Sequence, residues 1–468
     1  MRGMIGIRMI GIQPRQRALC AVWALLLGGC AALSPPARTD GSGLDVRADR
    51  LIVVTVANAP VPVSFDVGST PHPYAAPRPY TAARAARAQG AALARDYHLR
   101  ILREWPIAAL KVDCFVYALA PDRDRASVLE QLANDARVRL AEPLQLFDTQ
   151  AFPAAKRDGI AASNAVPNIG YAGGDAYNDP YFRFQQGFRA IGADLAQRRS
   201  RGGGVRVAII DTGVDVRHPD MAHAALVQDF FSEDAAAFRS DRHGTAVVGI
   251  IAAAVNNHIG IVGMAPDVRL QIYKACQPIR PGALAAQCNS FTLAQALDAA
   301  IVARAQVVNL SLYGPNDPLL AALVRSGQRR GCVFVGALPA SGRLDGFPLS
   351  ITGVIAAGEP GSSSGSGRAD TVLHAPGREI LSLAPAGRYD FVSGSSFATA
   401  YVTAAIAMLR ARAPSLDSAA LRAVLASTQR GSGDALINIC SALARVMPDN
   451  GTTGVTRCTA RASQLAAQ

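Results

Sequence analysis

Apolar positions fall into two kinds of run along the chain. Between residues 51 and 147 they predict a small unit. A β-branched strand at 51–56 is followed by an Ala/Arg-rich helix at 81–93, and alternating strands occupy 98–105 and 109–119. A helix at 126–136 and a strand at 138–147 complete it. That βαββαβ order is ferredoxin-like α+β. Beyond residue 204 the runs are continuous. Strands are predicted at 205–210, 268–273, 307–312, 332–335 and 353–357, with helices at 246–255, 291–304 and 319–329. Continuous apolar strands alternating with helices predict a parallel sheet covered on both faces, an α/β fold. A further helix is expected over 191–199. Phe397, Tyr401, Val402, Ile406, Met408 and Leu409 leave little polar face, so that stretch predicts a helix buried all round. Residues 150–179 lack a period and are rich in Ala, Gly and Asn, as a linker is. Residues 60–79 read as a Pro-rich loop and 361–367 as an exposed Gly/Ser loop.

Length alone predicts roughly three domains, or two with tails. With 50% apolar and 18% charged residues, a large core is available and disorder is excluded as the main state. The net charge of +12 comes without a dense Lys/Arg run or a nucleic-acid motif, so it describes a basic surface and no nucleic-acid partner is expected. Arg15 and Arg17 precede an apolar run over 18–27 that is too short to span a membrane and suits a signal peptide. The run ends in Leu27-Gly28-Gly29-Cys30, which resembles a bacterial lipoprotein box and implies lipidation of Cys30. Ala31 and Ala32 follow, with no Asp to retain the protein in an inner membrane. An outer-membrane lipoprotein facing the periplasm or the cell surface is therefore expected. The alternative is an ordinary secretory signal, with Cys30 incidental and the protein secreted.

Export permits disulfides. Cys276 and Cys288 flank a Pro/Gly-containing loop, and Cys440 and Cys458 bracket a tail with Asp449-Asn450-Gly451, so both pairs are expected as local staples. Cys114 and Cys332 lie in apolar runs and read as buried thiols. No Cys/His spacing suggests zinc.

Three stretches carry candidate chemistry. The strand at 205–210 runs into Asp211-Thr212-Gly213, which delivers a carboxylate to its C-terminal edge. Asp241-Arg242-His243-Gly244-Thr245 opens the next apolar helix, and Gly394-Ser395-Ser396-Phe397-Ala398 opens the buried one. Open α/β sheets build their sites at such strand ends and helix starts. Unpaired N–H groups and the helix dipole at Ser396 suit a nucleophile whose attack creates an oxyanion, although a plain Ser N-cap fits the same position. The chain order Asp, His, Ser is one of the known triad orders.

These motifs, with Asp215 and His218-Pro219-Asp220, resemble the subtilisin-like serine proteases (subtilases), from about Asn178 to Leu443. The resemblance implies that Asp211 orients His243, that His243 takes the Ser396 proton, and that Ser396 attacks the scissile carbonyl. His218, ahead of Pro219, reads as a turn residue and not as the base. The N-terminal unit resembles the inhibitory propeptide of the family in pattern; a generic α+β module is the alternative. The layout expected is then 1–29 signal peptide, 30–48 tether, 49–149 propeptide-like domain, 150–177 linker, 178–445 catalytic domain and 446–468 tail.

Further expectations follow from the same resemblance. Ser311, Leu312, Tyr313 and Gly314 match the strand that lines the cleft and pairs with an extended peptide. The family carries a small residue where Tyr313 stands, so its phenol either narrows the primary pocket or points away. Residues 255–263 resemble a calcium loop, which implies Asp220, Asn257 and the carbonyls of Val255, Ile259 and Ile261 as ligands. One extra residue separates this loop from His243, and a polar turn without an ion is the alternative. The family's Ala-Gly-Asn, whose Asn amide completes the oxyanion hole, is replaced by Leu338-Pro339-Ala340, with Ala340 at the Asn position. The function expected is a serine endopeptidase acting on protein or peptide, slowed by that loss. The alternative is a catalytically weak or inactive fold that binds peptides or a partner. An aspartic protease would need a second Asp-Thr-Gly or Asp-Ser-Gly, and the chain has none.

Overall fold

The computed structural model describes residues 43–58, 79–149, 152–153, 177–221, 224–231, 234–362, 372–429 and 435–447. The signal peptide, Cys30, the Pro-rich loop, most of the linker, most of the Gly/Ser loop and the tail with Cys458 lie outside these residues.

The N-terminal elements are β1 (Leu51–Ala57), α1 (Pro79–Asp96), β2 (Arg100–Ile107), β3 (Val112–Ala118), α2 (Arg125–Ala133) and β4 (Val138–Pro143). The strands form an antiparallel sheet in the order β2-β3-β1-β4. Alternation sends Ile52, Val54, Val56, Phe115 and Tyr117 to the face packed with Leu93, Val128 and Leu132 of the two helices. Leu51, Val53, Cys114 and Val116 take the other face.

The strand expected to reach residue 147 ends at Pro143. Proline supplies no N–H to continue the ladder. Gln145 instead exchanges hydrogen bonds with Ser290: Ser290 N donates to Gln145 O (3.0 Å), and Gln145 N to Ser290 Oγ (2.9 Å). The chain then forms β5 (Leu146–Asp148) and β6 (Phe152–Pro153), each in a different sheet. The helix expected over 191–199 is also corrected. Only α4 (Ala193–Ala196) is helical within it, starting after the left-handed Gly192, and a short helix α3 (Gln186–Ala190) precedes that turn.

The larger part contains β7 (Arg206–Asp211), β8 (Ala224–Asp229), α5 (Ala235–Ser240), α6 (Arg242–Ala252), β9 (Arg269–Lys274), β10 (Cys276–Pro278), β11 (Ala286–Asn289) and α7 (Ser290–Val302). Next come β12 (Val307–Leu310), α8 (Pro318–Arg329), β13 (Val333–Ala337), β14 (Ile355–Gly358), β15 (Val372–His374), β16 (Ile380–Ala384) and β17 (Arg388–Ser393). The described chain closes with α9 (Ser395–Arg412), α10 (Ser418–Ala426) and α11 (Ile439–Val446). Seven strands make a parallel sheet in the order β15-β14-β13-β12-β7-β9-β8. Its two faces follow the alternation of each strand. Val207 and Ile209 join the core with α6 and α9, whereas Ala208 and Ile210 join the core with α7 and α8. That second core is shared with Leu51, Val53 and Val116, so the N-terminal sheet packs onto α7 and α8 through apolar contact. Asp298 of α7 adds to this boundary by accepting from Ala108 N (3.1 Å) and Ala109 N (2.7 Å) in the β2–β3 turn. Among the described residues no helix is long and apolar enough to cross a membrane.

Candidate active site

Asp211 ends β7 at the C-terminal edge of the sheet and is buried. His243 stands in the first turn of α6, also buried. His243 Nδ1 meets Asp211 Oδ1 at 2.6 Å. A carboxylate there fixes the tautomer, with the proton on Nδ1 and a lone pair on Nε2. Nε2 has no hydrogen-bond partner among the described residues. The residues beside Asp211 bind the two segments together. Thr212 Oγ1 accepts Gly244 N (2.9 Å), which caps α6 from outside the helix. Gly213 lets the turn pass close to α5, because a Cβ there would stand 2.2 Å from Phe238 O.

Ser396 lies in the first turn of α9 and is buried. Gly394 precedes it at φ 141°, ψ 158°, a conformation open essentially to glycine alone. The Ser396 hydroxyl donates to Ser311 O at 3.0 Å, and Ser311 Oγ donates to Ser396 O at 3.0 Å. Asn309 Nδ2 supports Ser311 Oγ (2.8 Å), and Thr403 Oγ1 supports Asn309 (2.9 Å). The structure thus gathers Asp211, His243 and Ser396 at one sheet edge, with the serine hydroxyl resting on Ser311.

The cleft beside them holds the protein's own chain. Phe147 of β5 pairs with Cys288 and Asp148 with Gln287, antiparallel. On its other side Asp148 N donates to Tyr313 O (2.9 Å) and Tyr313 N to Asp148 O (3.0 Å). Thr149 N continues onto Ala286 O (3.0 Å). Phe147 is fully buried, its ring edge-on to Phe347 at 5.4 Å. Phe152 and Pro153 then pair with Ser393 and Val392 of β17, the strand that leads into Ser396. The described chain therefore pairs first with Tyr313 and then with β17, the strand that leads into Ser396. Of the residues expected to line the cleft with Tyr313, Ser311 bonds Ser396, Leu312 is buried, and Gly314 N donates to Phe347 O (3.0 Å). Tyr313 lines a cavity of about 290 Å³ together with Pro339, Ser341 and Phe347.

The loop after β13 makes a turn closed by Gly342 N on Pro339 O (2.8 Å), and Ala340 in it is exposed. Its methyl group offers no hydrogen-bond donor. Ser341 Oγ faces its own loop, accepting from Arg343 N at 3.4 Å.

The expected metal residues also gather. Asp220 is fully buried, and its oxygens accept Asn257 Nδ2 (2.8 Å), Ile261 N (2.8 Å) and the Tyr389 hydroxyl (3.2 Å). Burial pushes its carboxyl up to about 6. Asn256, His258 and Gly260 are left-handed in alternation along the loop from Val255 to Ile261. Asp179, which the sequence reading left in the opening segment, accepts from Asn256 N (2.9 Å). The set of carboxylates, amide and carbonyls is all oxygen, as a hard cation requires, so the residues fit calcium.

Cys276 and Cys288 form a disulfide across the β10–β11 hairpin. Cys440 is disulfide-bonded as well; Cys458, its expected partner, lies outside the described residues. Cys114 and Cys332 are buried thiols.

The subtilase family model matches residues 202–455. The chain is 32% identical over 297 residues to the thermophilic serine proteinase of Bacillus sp. (strain AK1), which covers 60% of this chain and 66% of that protein. It is 30% identical over 260 residues to thermitase of Thermoactinomyces vulgaris, covering 54% and 90%. In structure it resembles fervidolysin from Fervidobacterium pennivorans, a keratinolytic enzyme related to subtilisin. That likeness, in fold, has a TM-score of 0.58 at 20% identity and covers 84% of this chain and 60% of that one.

Proposed function

The chain belongs to the subtilase family, and from that membership we propose that it is a serine endopeptidase restrained by its own N-terminal domain. The observation that carries this reading is the seating of Leu146–Asp148 between β11 and Tyr313. The cleft grips an extended main chain beside Tyr313, and the chain next pairs with β17, the strand that leads into Ser396.

In the reaction, Ser396 Oγ bonds to the scissile carbonyl carbon while its proton passes to His243 Nε2. The C–N bond breaks as Nε2 returns that proton to the leaving amine, which leaves an acyl-enzyme. Water adds by the same base, and Ser396 is released with the acid product. Asp211 stays ionised and holds the imidazole. The N–H groups at the start of α9 face the developing oxyanion. Before attack the hydroxyl must leave Ser311 O, and a peptide N–H that takes this carbonyl would free it.

A second reading is a weak or inactive fold that binds peptides. The resting bond from Ser396 to Ser311 and the exposed Ala340 favour it. Labelling by a serine-directed fluorophosphonate, with Ser396→Ala as the blank, decides between them. Labelling at Ser396 together with peptide turnover supports the protease; a folded chain that neither labels nor cleaves supports the binder.

Three attributes belong to the same proposal. Lipidation of Cys30 anchors the protein at the outer membrane, and Cys30→Ser should release it. The N-terminal domain acts as an inhibitory propeptide. Calcium at Asp220, Asn257 and the carbonyls of Val255, Ile259 and Ile261 stiffens the domain, with Asp179 beside them.

A further inference from the structure

We infer that Asp241, with Lys274 as its counter-ion, is a positioning residue that sets how Asp211 meets His243. This rests on the protease reading only in giving that pair its task. Asp241 occupies the N-cap position of α6 with extended backbone (φ −75°, ψ 127°), yet its side chain makes no cap bond to its own helix. Thr212 serves that end of the helix instead. The Asp241 carboxylate reaches the other way, and its Oδ2 accepts both Gly213 N (2.8 Å) and Lys274 Nζ (2.6 Å). Both side chains of the ion pair are 5% exposed.

Besides the Gly244 bond to Thr212, two bonds join the turn at 211–213 to the start of α6. One runs from His243 to Asp211, the other from Gly213 to Asp241. With both ends fixed, the turn that carries Asp211 cannot draw away from α6 without breaking the Gly213 bond to Asp241. Lys274 ends β9, where its strand neighbours in register are Asp211 on β7 and Asp229 on β8. Its ammonium therefore stands in a row of carboxylates and binds Asp241. Burial raises the Asp241 carboxyl above its ordinary value, while the ammonium and the Gly213 N–H oppose that rise. The imidazole consequently has a neutral pair as its neighbour, not a lone charge.

The charged and polar groups around His243 come from each packed element. Asp211 ends β7 and bonds His243, Lys274 ends β9 and bonds Asp241, and Asp229 ends β8 in register with Lys274. Ser396 stands in the first turn of α9, whose Phe397 ring lies 5.7 Å from the imidazole. Arg242 on the same helix is paired with Asp390 of β17. β16, which also packs on α6, contributes Ile380–Ala384 and no charge.

The test uses the full chain. Asp241→Asn keeps an oxygen for Gly213 N–H but removes the carboxylate that pairs with the buried Lys274 ammonium. An unpaired cation disfavours imidazolium, so the acid limb of kcat/KM should move down by about one pH unit. Turnover should fall about tenfold, with KM nearly unchanged. The double variant Asp241→Asn with Lys274→Met removes both charges and should return the limb to its wild-type place. The low-field Nδ1 proton of His243, followed by NMR in a Ser396→Ala background, reads the same titration without any turnover. An inactive wild type whose proton still shifts in this way would sink the protease reading and support this one. An unmoved midpoint in Asp241→Asn would overturn the inference. So would a double variant displaced as far as the single, or, if Asp241→Asn does not fold, a folded double variant whose low-field proton is lost.

Discussion

Asp148 and Tyr313 exchange both of their main-chain hydrogen bonds, at 2.9 and 3.0 Å, so the chain that joins the two parts of the molecule lies as a strand between Tyr313 and β11. Thr149 is bonded to Ala286, and Phe152 pairs with Ser393 just ahead of Ser396, the proposed nucleophile. Self-processing should therefore cut between Thr149 and Phe152. Edman or mass analysis of the purified chain should find a new N-terminus there, and Ser396→Ala should stay intact. The same cut in Ser396→Ala would assign the processing to another protease. Phe147→Ala empties a buried aromatic site, at a cost of about 3–5 kcal/mol, and should loosen the docked segment.

Release of the N-terminal domain should depend on pH. Glu142 of β4 and Asp317, the N-cap of α8, are buried together where the two parts meet, with the Cys114 thiol nearby and Ser290 Oγ donating to Asp317. Burial, and then the Asp317 carboxylate, push the Glu142 carboxyl up to about 10. A raised carboxyl contributes full docking stability below its ordinary value near 4.5 and loses it as pH rises through about 10. Docking should weaken by about tenfold per pH unit across that window, since one proton leaves with it. Hydrogen exchange at β4 in Ser396→Ala should quicken from pH 6 to 9, and Glu142→Gln should flatten that dependence.

Calcium should raise the melting temperature by mass action on the native state. Without the ion, the Asp220 carboxyl, raised to about 6, gives stability that is complete below its ordinary value near 3.8 and fades as pH climbs through about 6. The stabilisation by added calcium should therefore grow over the same interval. Asp220→Asn should abolish it, and identical melting in EDTA and in millimolar calcium would remove the ion from the account.

Ala340→Asn should raise turnover. One oxyanion donor of this kind is worth about 10²–10³-fold in turnover, and α9 already supplies the others. The gain should appear in kcat, with KM nearly constant. An unchanged kcat would show that some other group stabilises the oxyanion.

The parts of this architecture written in local pattern were legible in the sequence. The apolar strand into Asp211 and the small-residue turn at Gly394 carry their geometry in adjacent residues. The parts made by long-range pairing were not. Residues 138–147 look like one strand by alternation, but Pro143 ends the ladder and Leu146 joins β11, some 140 positions downstream. The helix drawn over 191–199 is helical only at Ala193–Ala196, because the left-handed Gly192 delays its start. Asp241 looks like a helix cap because caps are Asp by preference; only the approach of Gly213 and Lys274 shows where its charge goes. Glu142 is one acidic residue in a half-exposed strand until α8 closes over it.

The groove between β11 and Tyr313 is one strand wide, and the disulfide from Cys276 to Cys288 braces its β11 wall. Both walls offer main-chain groups, so what they select first is backbone shape. A helix or a closed hairpin has already spent those groups internally and cannot enter. Whatever passes this filter must arrive locally uncoiled, as a loose terminus, a frayed loop or a damaged chain does. The folding state of a client protein would then govern its fate as strongly as its sequence.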